Sequence, residues 1–205
     1  MSKVFRGVLF TLAFGATLFA QEKKFEIGAS VTGNFLRTVN GFDTDHSVKN
    51  SLGVGANFRT YFSKRHGLDI SWSYSNPAHT YFSPSVGSTP AVGVTHKTWT
   101  NEATTSYVFK LRSSESRIQP FLLAGGGALL FTPNGLHSTV GSVGTTAKLT
   151  GVYGGGIDAY LSSRIGLRAQ YKGFVYNDPA NAVIHRSTQK LGHMAQPSLG
   201  LFWRF

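Results

Sequence analysis

Residues 151–176 read GVYGGGIDAYLSSRIGLRAQYKGFVY, two alternating stretches joined by the short polar break Ser162-Ser163-Arg164. Asp158, Arg168, Gln170 and Lys172 share the polar side of the alternation. A period of two belongs to a strand with one apolar face. Two such strands on either side of a tight polar connection form a hairpin. If the turn sets Leu161 opposite Ile165, Asp158 falls directly opposite Arg168.

The same rhythm continues in both directions. Over 24–35, Phe25, Ile27, Ala29, Val31, Gly33 and Phe35 share one parity, and Glu26, Ser30, Thr32 and Asn34 the other. A second stretch sets Leu52, Val54, Ala56, Phe58 and Phe62 against Ser51, Asn57 and Arg59. After the turn 63–66, Leu68, Ile70, Trp72 and Tyr74 alternate with Asp69, Ser71, Ser73 and Ser75. Counting across this turn places Arg59 near Asp69. Residues 99–111 and 191–205 alternate likewise, the latter with Leu191, Ala195, Leu199, Leu201, Trp203 and Phe205 on one side. The stretch 118–131, IQPFLLAGGGALLF, is apolar on both parities, so its two faces stay unassigned.

Eight strands result, and their connections alternate in length. Turns at 63–66, 112–117 and 162–164 are short; those at 37–50, 76–97, 132–147 and 177–190 are long. The fold expected is all-β, an eight-stranded antiparallel up-and-down barrel. Short turns at one end and long loops at the other are the pattern of transmembrane barrels. Ten charged residues lie within the strands (Glu26, Arg59, Asp69, Glu102, Lys110, Lys148, Asp158, Arg168, Lys172 and Arg204), all opposite the apolar face. A charge on the lipid face costs up to about 2–4 kcal/mol at mid-membrane. A soluble barrel would also keep charges off its core face, so the charges alone do not choose between lipid and a water-soluble core.

The N-terminus favours lipid. In residues 1–20, MSKVFRGVLFTLAFGATLFA, Lys3 and Arg6 precede an apolar run from Val8 to Phe19, and Ala20 offers a small residue for cleavage. The expected organisation is a signal peptide at 1–20 and a barrel domain at 21–205. Aromatic residues near strand ends (Phe25, Phe35, Trp72, Tyr74, Trp99, Phe131 and Trp203) suit the girdles of a membrane barrel.

Composition removes other classes. The 205 residues include no Cys, which excludes disulfides, thiolate metal sites and cysteine nucleophiles. Net charge is +11, yet no basic run exceeds the pairs Lys23-Lys24 and Lys64-Arg65, so the stripe expected of a nucleic-acid binder is missing. Gly125–Gly127 and Gly154–Gly156 lie within strands with no following helix, which fits close approach of neighbours rather than a phosphate loop. Six of the seven His residues, His46, His66, His79, His96, His137 and His185, are spread over loops and turns without helical zinc spacing. No metal or cofactor is expected.

In these features the chain resembles the small eight-stranded outer-membrane barrels of the outer membrane protein A and outer membrane protein X type. The carriers are the export signal, the hairpin rhythm, the stretch 151–176 and the ending SLGLFWRF. The resemblance implies an outer-membrane location, contact with lipid and lipopolysaccharide, and a monomeric state. It also implies that Phe205, with Trp203 and Leu201 at two-residue spacing, forms the terminal signal read by the barrel assembly machinery. The chain stops at Phe205, so no appended peptidoglycan-binding domain is expected.

An eight-stranded interior is filled by side chains, so the inward charges should pair. The expected lumen pairs are Glu26 with Arg204, Arg59 with Asp69, and Asp158 with Arg168. The role expected is structural, in envelope integrity, or in surface interaction, not that of a wide pore or an enzyme. The loops and rim carry Arg37, Lys49, Lys97, Arg186 and Lys190 against Asp43, Asp45 and Asp178, a slight excess suited to lipopolysaccharide phosphates; no loop ligand is named by the sequence. One alternative is a lipid A deacylase, since His185-Arg186-Ser187 has the His-x-Ser pair of such enzymes. No Glu or Asp follows Ser187 to orient the base. The other alternative is a soluble periplasmic lipocalin-like carrier.

Overall fold

The computed structural model describes residues 25–36, 39–41, 44–48, 50–83, 92–112, 116–134, 145–177 and 191–205. The signal expected at 1–20 and the triplet His185-Arg186-Ser187 lie outside the described residues.

Among the described residues, eleven strands form one sheet: β1 (Phe25–Leu36), β2 (Val39–Gly41), β3 (Thr44–Val48), β4 (Ser51–Tyr61), β5 (His66–Ser75), β6 (Ala78–Ser83), β7 (Val92–Lys110), β8 (Ile118–Asn134), β9 (Thr146–Tyr160), β10 (Ile165–Asn177) and β11 (Leu191–Arg204). Eight of them close a barrel in the order β1, β4, β5, β7, β8, β9, β10, β11 and back to β1, every pairing antiparallel. Closure leaves these strands without a free edge, the state in which each backbone donor and acceptor has a partner even where water is absent.

Two of the short turns share one chemistry. Leu161 N–H donates to the carbonyl of Ile165 (3.0 Å), while Ser162 Oγ accepts from the backbone N–H of Arg164 (3.2 Å) and Ile165 (3.1 Å). At the other turn Phe62 N–H donates to His66 (3.1 Å), and Ser63 Oγ accepts from Arg65 and His66. A serine opening a turn holds the next backbone donors without a second strand. The register follows: Arg59 lies opposite Asp69, and Asp158 opposite Arg168.

The stretch apolar on both parities is now oriented. Gln119, Phe121, Leu123, Leu129 and Phe131 of β8 face the interior, and Ile118, Leu122 and Leu130 face outward. The inward apolar residues join Val108, Val152, Phe174, Tyr176 and Met194 in a hydrophobic cluster inside the barrel. One wall of the lumen is therefore apolar, which is why β8 shows no polar face in its sequence. The glycines beside it permit the approach: a Cβ at Gly156 would sit 2.8 Å from the Phe121 ring and 2.9 Å from the Gln170 backbone.

Two of the connections expected as loops, 37–50 and 76–97, contain strands instead. β2, β3 and β6 pair in series with each other and with the first six residues of β7, extending the sheet beyond the barrel at the long-loop end. The reason is visible in Thr80-Tyr81-Phe82 and Val92-Gly93-Val94-Thr95, rich in β-branched and aromatic residues that favour strands. At 19 residues, β7 far exceeds the roughly 9–11 that cross a bilayer.

Candidate functional site: a charged lumen inside an apolar belt

The two faces of the barrel have opposite character. Outside, Leu199 is 61% exposed, and Ile27, Val31, Val54, Ile70, Trp72, Leu122 and Ile157 are exposed with it. Inside, Arg59, Glu26 and Asp158 are fully buried. A water-soluble barrel has the reverse arrangement, because apolar area left in water forfeits about 25 cal/mol per Å².

The belt ends in aromatic rings at the short-turn end. Phe25 stacks on both Phe58 and Phe205 with centroids 5.9 Å apart, and Trp203 lies 5.6 Å from Phe205. His66 packs among Phe62, Tyr107 and Phe109, and one ring nitrogen meets the Tyr107 hydroxyl. Leu201, Trp203 and Phe205 all point outward. Phe205 also exchanges backbone hydrogen bonds with Phe25 (2.9 and 3.2 Å), so the last residue is built into the seam between the first and last strands.

The lumen charges form two layers. In the layer near the short turns, Glu26 is the hub. Its Oε2 accepts from Arg168 Nη2 at 2.6 Å, and its Oε1 accepts from Arg204 Nη2 at 2.9 Å and from the Tyr160 hydroxyl at 3.1 Å. Lys110 Nζ lies 3.9 Å from the same carboxylate. Arg168 also forks onto Asp158 (2.6 and 2.9 Å), and Arg59 binds Asp69 at 2.8 Å while reaching Asp158 at 3.5 Å. Aromatic faces cover the cations: Arg59 lies over Phe121, Arg168 over Phe202, Lys110 over Tyr61 and Arg204 over Tyr160. Such stacking lets a guanidinium be buried while its edge keeps its hydrogen bonds.

The second layer is centred on Glu102. Lys172 Nζ donates to Glu102 Oε1 (3.2 Å) and to Ser71 Oγ (2.6 Å). Ser73 Oγ (2.6 Å) and Gln196 Nε2 (2.8 Å) donate to Glu102 Oε2, and Gln196 also reaches Asn34. Beside Lys172 and Arg168 is a cavity of about 30 Å³ lined in part by Asn57, Ser71, Gln170 and Gln196. That volume suits a water molecule or two, not a passing solute.

The structure brings the three sequence-derived pairs, Glu26 with Arg204, Arg59 with Asp69 and Asp158 with Arg168, within ion-pair distance, and then links them to one another. Counting across turns does not reach Glu102 with Lys172, or Lys110 with Glu26, because these partners sit on strands that are not neighbours. Their shared inward parity was the only signal. Among the described side chains, no group of three His, Asp or Glu is gathered to hold a metal ion.

Solved structures of the same shape are membrane barrels. Outer membrane protein OprG from Pseudomonas aeruginosa matches with a TM-score of 0.64 at 12% identity, over 89% of this chain and 95% of that one. Neisserial surface protein A matches with a TM-score of 0.59 at 11% identity, over 88% and 97%. Ail, the attachment invasion locus protein of Yersinia pestis, solved in complex with the heparin analogue sucrose octasulfate, matches with a TM-score of 0.50 at 17% identity, over 89% and 98%. No protein-family model matches the sequence, and no curated protein does. The likeness is one of fold: a closed eight-stranded antiparallel barrel of the transmembrane type, as the resemblance read from the sequence implied.

Proposed function

We propose that this protein is an outer-membrane barrel that seals its own lumen and serves the envelope as a structural or surface-interacting component, neither a wide pore nor an enzyme. The observation that carries the reading is the reversed polarity of the wall, with leucine, isoleucine and tryptophan outside and, among the described residues, four buried cations with four buried carboxylates within. An exposed belt of this kind is stable in hydrocarbon and unstable in water, which argues against a soluble carrier. The ion-paired lumen and the small cavity argue against solute flow. The lipid A deacylase alternative lacks an acid after Ser187, and no described feature favours it.

The sheet extension at the long-loop end projects past the length a bilayer requires, and is the part available to a partner outside the cell. Anionic headgroups of lipopolysaccharide fit the basic excess of the loops and rim, including the exposed Lys97. Phe205, Trp203 and Leu201 at the closing seam are the proposed assembly signal. Cell fractionation, followed by gels of unboiled and boiled samples, tests the reading. Recovery in the outer membrane with a heat-dependent mobility shift is expected; recovery in the soluble periplasm would overturn it.

A further inference from the structure

We propose that the lumen binds a small monovalent anion, of the size and charge of chloride, in the cavity between its two charged layers. The cavity holds about 30 Å³ and is lined by Arg168 from one layer and Lys172 from the other. The rest of its polar lining consists of hydroxyls and amides, among them those of Thr32, Asn57 and Gln170, with no carboxylate. Cations therefore reach the wall of this cavity and carboxylates do not.

Two observations favour an anion over water alone. The first is the charge balance. Among the described residues, the lumen ion pairs join five cations (Arg59, Lys110, Arg168, Lys172 and the partly exposed Arg204) to four carboxylates (Glu26, Asp69, Glu102 and Asp158). One positive charge is left in excess, and a buried charge without a counter-ion is costly. The second is a set of buried donors at the same cavity. Arg168, 6% exposed, commits Nε and Nη2 to Asp158 and Glu26, while Nη1 meets no acceptor among the described residues. The Thr32 hydroxyl, on a residue 3% exposed, has no partner among them either. An ionised acceptor takes stronger hydrogen bonds from such donors than a neutral one does. Lys172 Nζ already donates to Ser71 and Glu102 and contributes its charge. The size also fits, because the volume exceeds the roughly 10–15 Å³ that admits one water molecule, and chloride is only slightly larger than water. The site lies inside the wall, so it does not depend on what surrounds the outer face.

The direct test uses crystals of the full chain without its leader, grown with bromide as the sole halide. Anomalous diffraction at the bromine edge should show a peak in the cavity beside Arg168 Nη1. An ordered water there instead, or bromide confined to the protein surface, would overturn the assignment. In solution, the midpoint of urea unfolding in vesicles, or in buffer if the protein proves soluble, should rise saturably with sodium chloride. The reference is sodium gluconate of equal ionic strength, whose anion is too large for the cavity; a guest held only by the folded state stabilises it. Replacing Arg168 would also break its pairs with Glu26 and Asp158, so the cavity is filled instead. Gly55 lines it on the inward parity of β4, and the nearest atoms to an added Cβ, Ser30 Oγ and the Trp72 carbonyl oxygen, stand at 3.1 and 3.3 Å. Gly55→Val should lower the apparent chloride affinity at least about tenfold, and the outward Gly151→Ala should leave it unchanged. Unboiled gel mobility checks that G55V is folded, and the bromide measurement needs no variant. An equal response to gluconate, or a chloride response that survives in G55V, would overturn the proposal.

Discussion

Glu26, second residue of the first strand, and Arg204, last residue of the final strand, are direct register partners and meet at 2.9 Å inside the lumen. The pair lies across the seam where the barrel closes. Glu26 also holds Arg168 and faces Lys110, so one carboxylate balances cations from three other strands. Removing it leaves those cations buried and facing each other. Glu26→Ala should destabilise the barrel by about 3–5 kcal/mol, the usual consequence of orphaning a buried charge. Urea unfolding in phospholipid vesicles measures this, and the double variant E26A/R204A should lose less than the sum of the two single changes.

The outer face supplies a depth-dependent test. Leu199 lies mid-strand, opposite Val31 and Ala169, and is exposed to whatever surrounds the barrel. Phe62 is exposed beside a short turn. Leu199→Arg should cost about 2–4 kcal/mol in vesicles and Phe62→Arg about 0–1 kcal/mol. Equal small losses at both positions would mean that the two face the same solvent.

Close approach within the wall predicts a contrast between two glycines of β9. Gly156→Ala forces a methyl group against the Phe121 ring and the adjacent β10 backbone, and should cost about 1–3 kcal/mol. At Gly151 the nearest atom to an added Cβ is 3.9 Å away, so Gly151→Ala should change stability by less than about 0.5 kcal/mol. The same vesicle unfolding assay reads both.

A lumen crossed by two ion-paired layers should not conduct as an open pore. Protein reconstituted in planar bilayers is expected to give no current steps of porin size, because an eight-stranded interior is filled by its own side chains. Large, persistent steps would contradict the packing of Glu102 with Lys172 and of Glu26 with Arg168.

Much of this architecture is legible in the chain because strands of a membrane barrel alternate strictly and their tight turns set local register. Ser162-Ser163-Arg164 is enough to oppose Asp158 and Arg168, since a hairpin's pairing depends on its turn length. The faces of β8 are not legible, because an apolar patch within the lumen removes the contrast between parities there. Contacts across the barrel, such as Lys172 with Glu102, depend on strand tilt and stagger, which no single hairpin encodes. The sheet extension is hidden for another reason. Its first two strands, three residues in β2 and five in β3, are too short and too polar to show a period of two, and read locally as loop.

The central claim is that the apolar face of the barrel meets lipid. All three tryptophans, Trp72, Trp99 and Trp203, lie on that face, 47%, 41% and 52% exposed. Tryptophan fluorescence of the protein folded into vesicles of brominated phosphatidylcholine, compared with unbrominated vesicles, reads their contact with acyl chains directly. Strong quenching by the brominated chains is expected. Emission that is unaffected by bromine but quenched by an aqueous quencher would contradict the account.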